Sequence, residues 1–439
     1  MRILITGAGE VGFLIASELH MDHDVTVVDH DPVACARLQD MDVKVLQGNS
    51  ANARLLISAG IKKADIVAAV TGNDEVNVIT GIIASHFGVK HTMARVSNPD
   101  YIDRPVQDRK EIGISYMVSP ELVMADDMAR SLNFPSLLMN RELAGGKIEL
   151  VEFKVTEDMP LQGPVGEVKV NLPDGCKIIG INRKGDVSIP SKDDQIMTND
   201  HLFLLCDPKS LPELKSMLHE VSSPKKVLIV GGGMVGFYLA SLLEKKGFDI
   251  KLIEVNTERC REIADKLSST MILNGDGTDI SLMREEGAGY IDVVFAVTGL
   301  DEKNLLCSLL AKQLGAKKIL TRVNRYDYIK LFELVGVDRA VSPGQVTADA
   351  VLQRVSGGEE VITLSDERME LVDFVARAGA RIIGKSITRE LPKDSLVGMV
   401  LRDGKPTMPD ESFKVKEGDR VFVMSMPDVI SKVKKLFVS

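Results

Sequence analysis

The chain is written twice. A glycine loop, Gly7-Ala8-Gly9-Glu10-Val11-Gly12, returns as Gly231-Gly232-Gly233-Met234-Val235-Gly236, and the residues downstream of each loop return in step. Asp29 reappears as Glu254, Asn49 as Asp276, Thr71-Gly72 as Thr298-Gly299, Asn77 as Asn304, Arg95 as Arg322 and Ser119-Pro120 as Ser342-Pro343. Behind each copy a shorter pattern also repeats, Leu172-Pro173 as Leu391-Pro392 and Arg183-Lys184-Gly185 as Arg402-Asp403-Gly404. Any fold for this chain is therefore one architecture built in tandem. Its 439 residues, about three domains on a scale of about 150 residues each, divide at the repeats into 1–134, 140–221, 225–350 and 357–439.

Ile3, Leu4 and Ile5 form a wholly apolar run that stops at glycine, as a parallel strand buried on both faces does. Val11, Leu14, Ile15 and Leu19 follow at helical spacing. Further strands are expected at Val25–Val28, Val43–Leu46, Ile66–Val70, Thr92–Val96 and Tyr116–Val118, with helices between them, one opened by Asp31-Pro32. Strands alternating with helices at this spacing predict an α/β fold, a Rossmann-like doubly wound parallel sheet with its ligand edge at the carboxyl ends of the strands. Past Asn133-Phe134-Pro135 the pattern changes to short strands, Glu149–Val155, Lys177–Ile181 and His201–Leu205, between turns such as Lys184-Gly185-Asp186. This is a small α+β module, and Ser222-Ser223-Pro224 joins it to the second copy. The second module ends in a strand at Val421–Met424.

The loop between the first strand and helix has a mechanical reading. In GxGxxG the first glycine permits the tight turn, the second admits a pyrophosphate and the third lets helix and strand pack closely, while the helix start offers free N–H groups to the anion. Candidate binding residues are therefore Gly7, Ala8, Gly9, Glu10, Val11 and Gly12, and Gly231, Gly232, Gly233, Met234, Val235 and Gly236. Asp29 and Glu254 close the next strand at the separation expected of an acid that accepts from an adenosine ribose. A solvated acid at a strand end is the alternative. Neither is followed by an arginine suited to a 2′-phosphate, which disfavours NADP.

Thr71-Gly72 and Thr298-Gly299 end the fourth strands, where they either meet the nucleotide or serve the turn. Arg95 and Arg322 interrupt apolar strands at the ligand edge and need a partner, either a phosphate or an acid such as Asp74 or Asp301. Asn49 and Asp276 differ in charge, so the two cradles are expected to differ in ligand preference.

The remaining chemistry is sparse. The seven histidines all precede residue 220 and read as surface groups without carboxylate partners. No HExxH, GxSxG or P-loop is present, so no catalytic set and no metal site is assigned. A net charge of −9 with no basic patch argues against nucleic acid. The five cysteines form no CxxC and read as reduced, mostly buried thiols. No apolar run approaches a membrane span, and the first strand begins within two residues of Met1, so a cytosolic protein without a signal peptide is expected.

The glycine loops at Gly7 and Gly231, the acids Asp29 and Glu254, the segments Thr71–Asn77 and Thr298–Asn304, the pairs Arg95-Val96 and Arg322-Val323, and the helix starts at Ser119 and Ser342 give a resemblance across nearly the whole chain. It resembles the RCK (KTN) family of regulators of potassium conductance, and within it the tandem-RCK regulatory subunits of Trk-type potassium uptake. The resemblance implies two Rossmann-like RCK N-terminal domains, each followed by an RCK C-terminal module. It implies nucleotide binding, NAD(H) first, with ATP or ADP at one of the copies. The implied partner is a membrane potassium transporter subunit of the TrkH or TrkG kind, bound from the cytoplasmic face by a ring of RCK lobes, a homotetramer. The helix after each Ser-Pro is expected to cross over and pack on a neighbouring lobe. Two other readings stay open: a tandem NAD-dependent oxidoreductase, and a regulator of a different cation or amino-acid carrier.

Overall fold

The computed structural model describes residues 1–21, 23–102, 112–132, 137–157, 159–218, 225–355, 361–364 and 369–438. The joints expected at Asn133–Pro135 and Ser222–Pro224 lie outside them. The chain forms two compact units, Met1–Ala129 with Pro224–Val355, and Arg130–Ser223 with Ser356–Ser439. Like therefore packs with like: the two large copies form one unit and the two modules the other.

The first lobe has strands β1 (Arg2–Thr6), β2 (Asp24–Asp29), β3 (Lys44–Gln47), β4 (Ile66–Ala69), β5 (His91–Arg95) and β6 (Tyr116–Val118). They pair in parallel in the order β3-β2-β1-β4-β5-β6. The order reverses beside β1, and an α/β sheet opens its ligand crevice at such a switch point. Ile3, Leu4 and Ile5 are buried, as their unbroken apolar run requires. Helix Pro32–Ala36 starts where Asp31 accepts from the Val33 N–H at 2.9 Å.

The first module has strands β7 (Leu137–Leu143), β8 (Ile148–Lys154), β9 (Gly163–Pro164), β10 (Cys176–Arg183), β11 (Asp186–Ser188), β12 (Gln195–Ile196) and β13 (His201–Cys206). Five of them form an antiparallel sheet ordered β11-β10-β13-β8-β7. The second lobe repeats the first with β14 (Lys226–Val230), β15 (Asp249–Glu254), β16 (Met271–Asn274), β17 (Val293–Ala296), β18 (Lys318–Arg322) and β19 (Arg339–Val341), ordered β16-β15-β14-β17-β18-β19. The second module has β20 (Val361–Leu364), β21 (Met369–Val375), β22 (Ser395–Arg402), β23 (Lys405–Thr407) and β24 (Arg420–Ser425), ordered β20-β21-β24-β22-β23.

Within the large unit the lobes share a core. Helix Pro343–Val355 of the second lobe buries Ala348, Val351 and Val355 among Ile3, Ile5, Val11 and Ile15 of the first. The Arg354 guanidinium lies 3.9 Å from the centre of the Tyr116 ring, and Arg339 pairs with Asp127 at 2.9 Å. The helix behind Ser342 thus packs on the other lobe of its own chain. In the module unit, Ile179, Phe203 and Leu205 of one sheet interleave with Met369, Met399 and Phe422 of the other. Gly180 and Gly398 let the sheets close, because a Cβ at either would lie 2.5 Å or less from Met369 or Leu205. Each module is braced by a buried carboxylate held by two guanidinium hydrogen bonds, Asp200 by Arg183 at 2.8 and 2.7 Å and Asp419 by Arg402 at 2.8 and 2.6 Å.

One expectation about polar groups is corrected. His201 does face a carboxylate, with Nδ1 2.9 Å from Glu152 across the strand pair, and His30 Nδ1 lies 3.1 Å from Asp29. The first contact is invisible in the sequence because β8 and β13 are far apart along the chain. The cysteines are mostly buried thiols, as expected: Cys176, Cys206, Cys260 and Cys307 are buried, with burial pushing Cys307 up to about 12, and Cys35 is half-buried.

Candidate functional site: a glycine cradle roofed by the second lobe

The first glycine loop forms the floor of a cavity of about 320 Å³. Gly7 has φ 105°, and a Cβ there would lie 2.9 Å from the backbone of Val70 and Thr71. At Gly12 a Cβ would fall 1.8 Å from the Gly7 carbonyl oxygen. Around Gly9 a Cβ would meet nothing within 4 Å, so this is the open side of the loop. The helix it starts, Glu10–Leu19, has no side-chain cap, and its first N–H groups remain available to an anion. Gly231, Gly233 and Gly236 reproduce all three environments, and helix Met234–Glu244 also begins uncapped.

Both acids brace their loops in the same way. Asp29 Oδ2 accepts from the Ala8 N–H at 2.5 Å and Oδ1 from the Asp31 N–H at 2.8 Å. Glu254, one methylene longer, accepts from Gly232 N–H at 2.7 Å and Asn256 N–H at 2.8 Å. A carboxylate has about four acceptor positions, so each acid can hold its loop and still accept from a ribose.

Thr71 is committed inward. Its N–H and hydroxyl both donate to Asn77 Oδ1, at 2.9 and 2.6 Å, and Asn77 Nδ2 donates to the Thr71 and Arg95 carbonyls, both at 2.9 Å. Thr298 and Asn304 repeat the network, with Arg322 as the far carbonyl. Asn77 and Asn304 are fully buried and join strand four to the end of strand five. The repeat showed that they matter, but not that they tie down the arginine-bearing strand ends.

Neither arginine pairs with the acid considered for it. Asp74 accepts from the backbone of Ser97 and Asn98, and Asp301 from Asn324 and Arg325. Arg95 lines the cavity and donates to no side chain among the described residues. Arg322 lines the same cavity, with Nε donating to Asn324 at 3.0 Å. Burial, with the like charge of Arg95 adding to it, pulls the Arg322 guanidinium below its ordinary value, against the opposing pull of Glu121 and Asp301.

Of the other expected residues, Gly7, Gly9, Glu10, Val11, Asp29, Thr71 and Gly72 line this cavity. Ala8 is buried behind the loop, and exposed Asn49 accepts from the Ala51 N–H at 2.8 Å. Asp276 accepts from Thr278 and pairs with Lys303 at 3.3 Å; chiefly the Thr278 N–H holds it below the usual carboxylate range. The sequence did not assign Glu121, Asn324, Pro343 or Gly344 to the site, and these line the cavity beside His30 and Val70. Three of these four come from the second lobe.

The TrkA-N domain model matches residues 3–120 and 227–343, and the TrkA-C domain model matches 150–219 and 371–438. The chain belongs to the TrkA family. A Methanosarcina mazei TrkA homologue, a "Trk system potassium uptake protein", is 42% identical over 449 residues, covering 100% of both chains. The TrkA protein of Haemophilus influenzae is 31% identical, covering 100% of this chain and 98% of its own. Among solved structures, the "GsuK channel bound to NAD" superposes with a TM-score of 0.62 at 18% identity, covering 99% of this chain and 78% of that one. The GsuK RCK domain gives 0.61 at 19% identity, covering 99% and 94%. At this identity the likeness is one of fold, and it places the TrkA chain among RCK architectures. Among the described residues no helix is long and apolar enough to cross a membrane.

Proposed function

We propose that this TrkA-family chain is the nucleotide-sensing regulatory subunit of a Trk-type potassium uptake system and carries out no chemistry of its own. The observation that carries the reading is the composition of the cavity. A glycine cradle and Arg95 from one lobe face Arg322, Asn324 and the Ser342 helix start of the other. A phosphate held there is gripped from both sides, so its binding free energy depends on how the lobes are set. The residues fit a nucleotide: an open second glycine, an uncapped helix start, a cavity-lining guanidinium with no side-chain acceptor among the described residues, and a strand-end acid with acceptor positions to spare.

Gly9 and the helix start would hold the pyrophosphate, Asp29 the adenosine ribose, and Arg95 with Arg322 the distal charge. NAD(H) would supply charge and shape here. Its hydride chemistry needs a proton carrier near the nicotinamide. Among the described residues the one histidine lining the cavity, His30, stands beside Asp29 at the adenosine end. NAD(H) at one copy and ATP or ADP at the other is the cofactor assignment, consistent with GsuK structures bound to NAD and to ADP.

A ligand that prefers one arrangement of the lobes shifts the population toward it, and couplings of about 1–3 kcal/mol per site are usual. Several sites in an oligomeric ring approach the roughly 5.5 kcal/mol of a near-complete switch. The partner is a membrane potassium transporter, as the relatives' names imply, with the chain peripheral to the cytoplasmic face. The test is titration calorimetry of NADH, NAD, ATP and ADP against the wild type and the Gly9→Val and Gly233→Val variants. Each valine should abolish binding at its own cradle only, and NADH absorbance should stay constant throughout. Binding untouched by both valines, or steady consumption of NADH, would refute the reading.

A further inference from the structure

Glu10 is the first residue of the helix behind the glycine loop, and it lines the cavity next to Gly9. Its side chain reaches across to the second lobe. Oε1 accepts from the Tyr326 N–H at 3.1 Å and lies 3.4 Å from the Ser342 hydroxyl, which donates to it. Gly344 leaves the space: a Cβ there would lie 2.9 Å from Glu10 Cδ. A half-buried carboxylate therefore stands where the phosphate-binding helix start meets the opposite lobe. The same place in the second loop is Met234, which has no charge.

We propose that Glu10 sets the charge selectivity of the first cradle, so that it takes a dinucleotide and rejects a nucleoside triphosphate, while the second cradle, with Met234, takes the triphosphate. This rests on the nucleotide reading above and assigns ligand classes to the two copies.

Both ligand classes put a diphosphate on the helix start, and they differ beyond it. A dinucleotide continues into a second ribose, whose hydroxyls donate to a carboxylate. A triphosphate continues into a terminal phosphate carrying about two further negative charges, which a carboxylate repels. The arginines leave no surplus to offset this. Arg95 and Arg322 are matched by Glu10 and Glu121 in the same cavity, and Asp29 is engaged by backbone N–H groups. In a half-buried cavity the repulsion is screened far less than in water. The repeat sharpens the contrast, because Glu121 of Ser119-Pro120-Glu121 is answered by Gly344 of Ser342-Pro343-Gly344. Both glutamates that line the first cradle thus have uncharged sequence counterparts in the second copy.

The experiment uses the full chain carrying Gly233→Val, so that only the first cradle binds. NADH and ATP are titrated calorimetrically in EDTA against Glu10, Glu10→Gln and Glu10→Met. Glu10→Gln keeps an acceptor for Tyr326 and Ser342, and thermal melts confirm that each variant is folded. The Kd for ATP should fall roughly tenfold or more in both variants while that for NADH moves less than about threefold. The converse chain, Gly9→Val with Met234→Glu, should bind ATP roughly tenfold more weakly than Gly9→Val alone. Equal shifts for NADH and ATP, or an ATP affinity indifferent to both substitutions, would overturn the assignment of Glu10. Failure of every chain, including the wild type, to bind either nucleotide would instead remove the nucleotide reading itself.

Discussion

Arg95 and Arg322 end equivalent strands of two separate lobes, yet their side chains line one cavity. The duplicated residue therefore lies in two settings: Arg95 lines the cradle of its own copy, and Arg322 lines the cradle of the other.

The first prediction concerns that sharing. In a Gly233→Val chain, Arg322→Ala should weaken NADH binding at the first cradle roughly 10- to 100-fold, the usual loss for a charge-assisted contact of about 1.5–3 kcal/mol. Arg322→Lys should recover part of it. Calorimetry decides, and an affinity unmoved by Arg322→Ala would mean that the second lobe only covers the site.

A second contrast separates folding from binding within one loop. Gly12→Ala drives a Cβ to 1.8 Å from the Gly7 carbonyl oxygen and should destabilise the first lobe by about 3 kcal/mol or more. Gly9→Ala meets no atom within 4 Å and adopts an ordinary backbone, with φ −65°. It should leave the melting temperature nearly unchanged while weakening nucleotide binding. Urea denaturation read alongside nucleotide titration checks both halves.

Asn77 supplies a third. Asn77→Ala leaves the half-buried Thr71 N–H and the Thr71 and Arg95 carbonyls without their Asn77 partner, and the Thr71 hydroxyl with only the Asn73 carbonyl, at 3.2 Å. The expected cost is about 2–4 kcal/mol, and hydrogen exchange should quicken at Thr71. Asn77→Asp keeps the acceptor but loses the donor and should fall between alanine and wild type.

The fourth lies in the module unit. Glu149 is buried on strand β8, between Glu142 on β7 and Cys206 on β13, with Arg130 nearby. Burial first, and then the charge of Glu142, pushes its carboxyl up from 4.5 to about 7. Between those values the folded chain holds a proton that the unfolded chain has released. Its contribution to stability is therefore complete below about pH 4.5, falls as pH rises toward 7 and is flat above. The loss is on the order of 3 kcal/mol. Glu149→Gln should be stabilising relative to wild type at pH 8 and not at pH 4.5, read as the difference between urea midpoints. A difference independent of pH would show that Glu149 titrates normally.

Local patterns gave away most of the architecture. The apolar run Ile3–Ile5 ending at Gly7 could only be a buried parallel strand, and β1 spans Arg2–Thr6. Tyr116–Val118 is β6 to the residue, and Asp31-Pro32 opens a helix through the expected cap. These signals are readable because they depend on period, backbone freedom and capping within a few residues of each other. Strand β7 was not anticipated, because its residues alternate poorly and its place is set by pairing with β8.

That two alike cradles exist is written in the chain itself, because a Gly7 turn, a Gly9 opening and a Gly12 contact each demand glycine locally. The same letters left open whether Arg95 and Arg322 faced Asp74 and Asp301, and they gave no sign that Arg322, Asn324 and Gly344 would wall the first cradle. Only the folded chain settles that. Helix Pro343–Val355 buries its apolar face on the core of the first lobe, and that packing carries the end of β18 to a loop more than 300 residues away along the chain. A one-dimensional pattern cannot record which surface an apolar helix face will choose, since burial is non-directional and specific only in three dimensions.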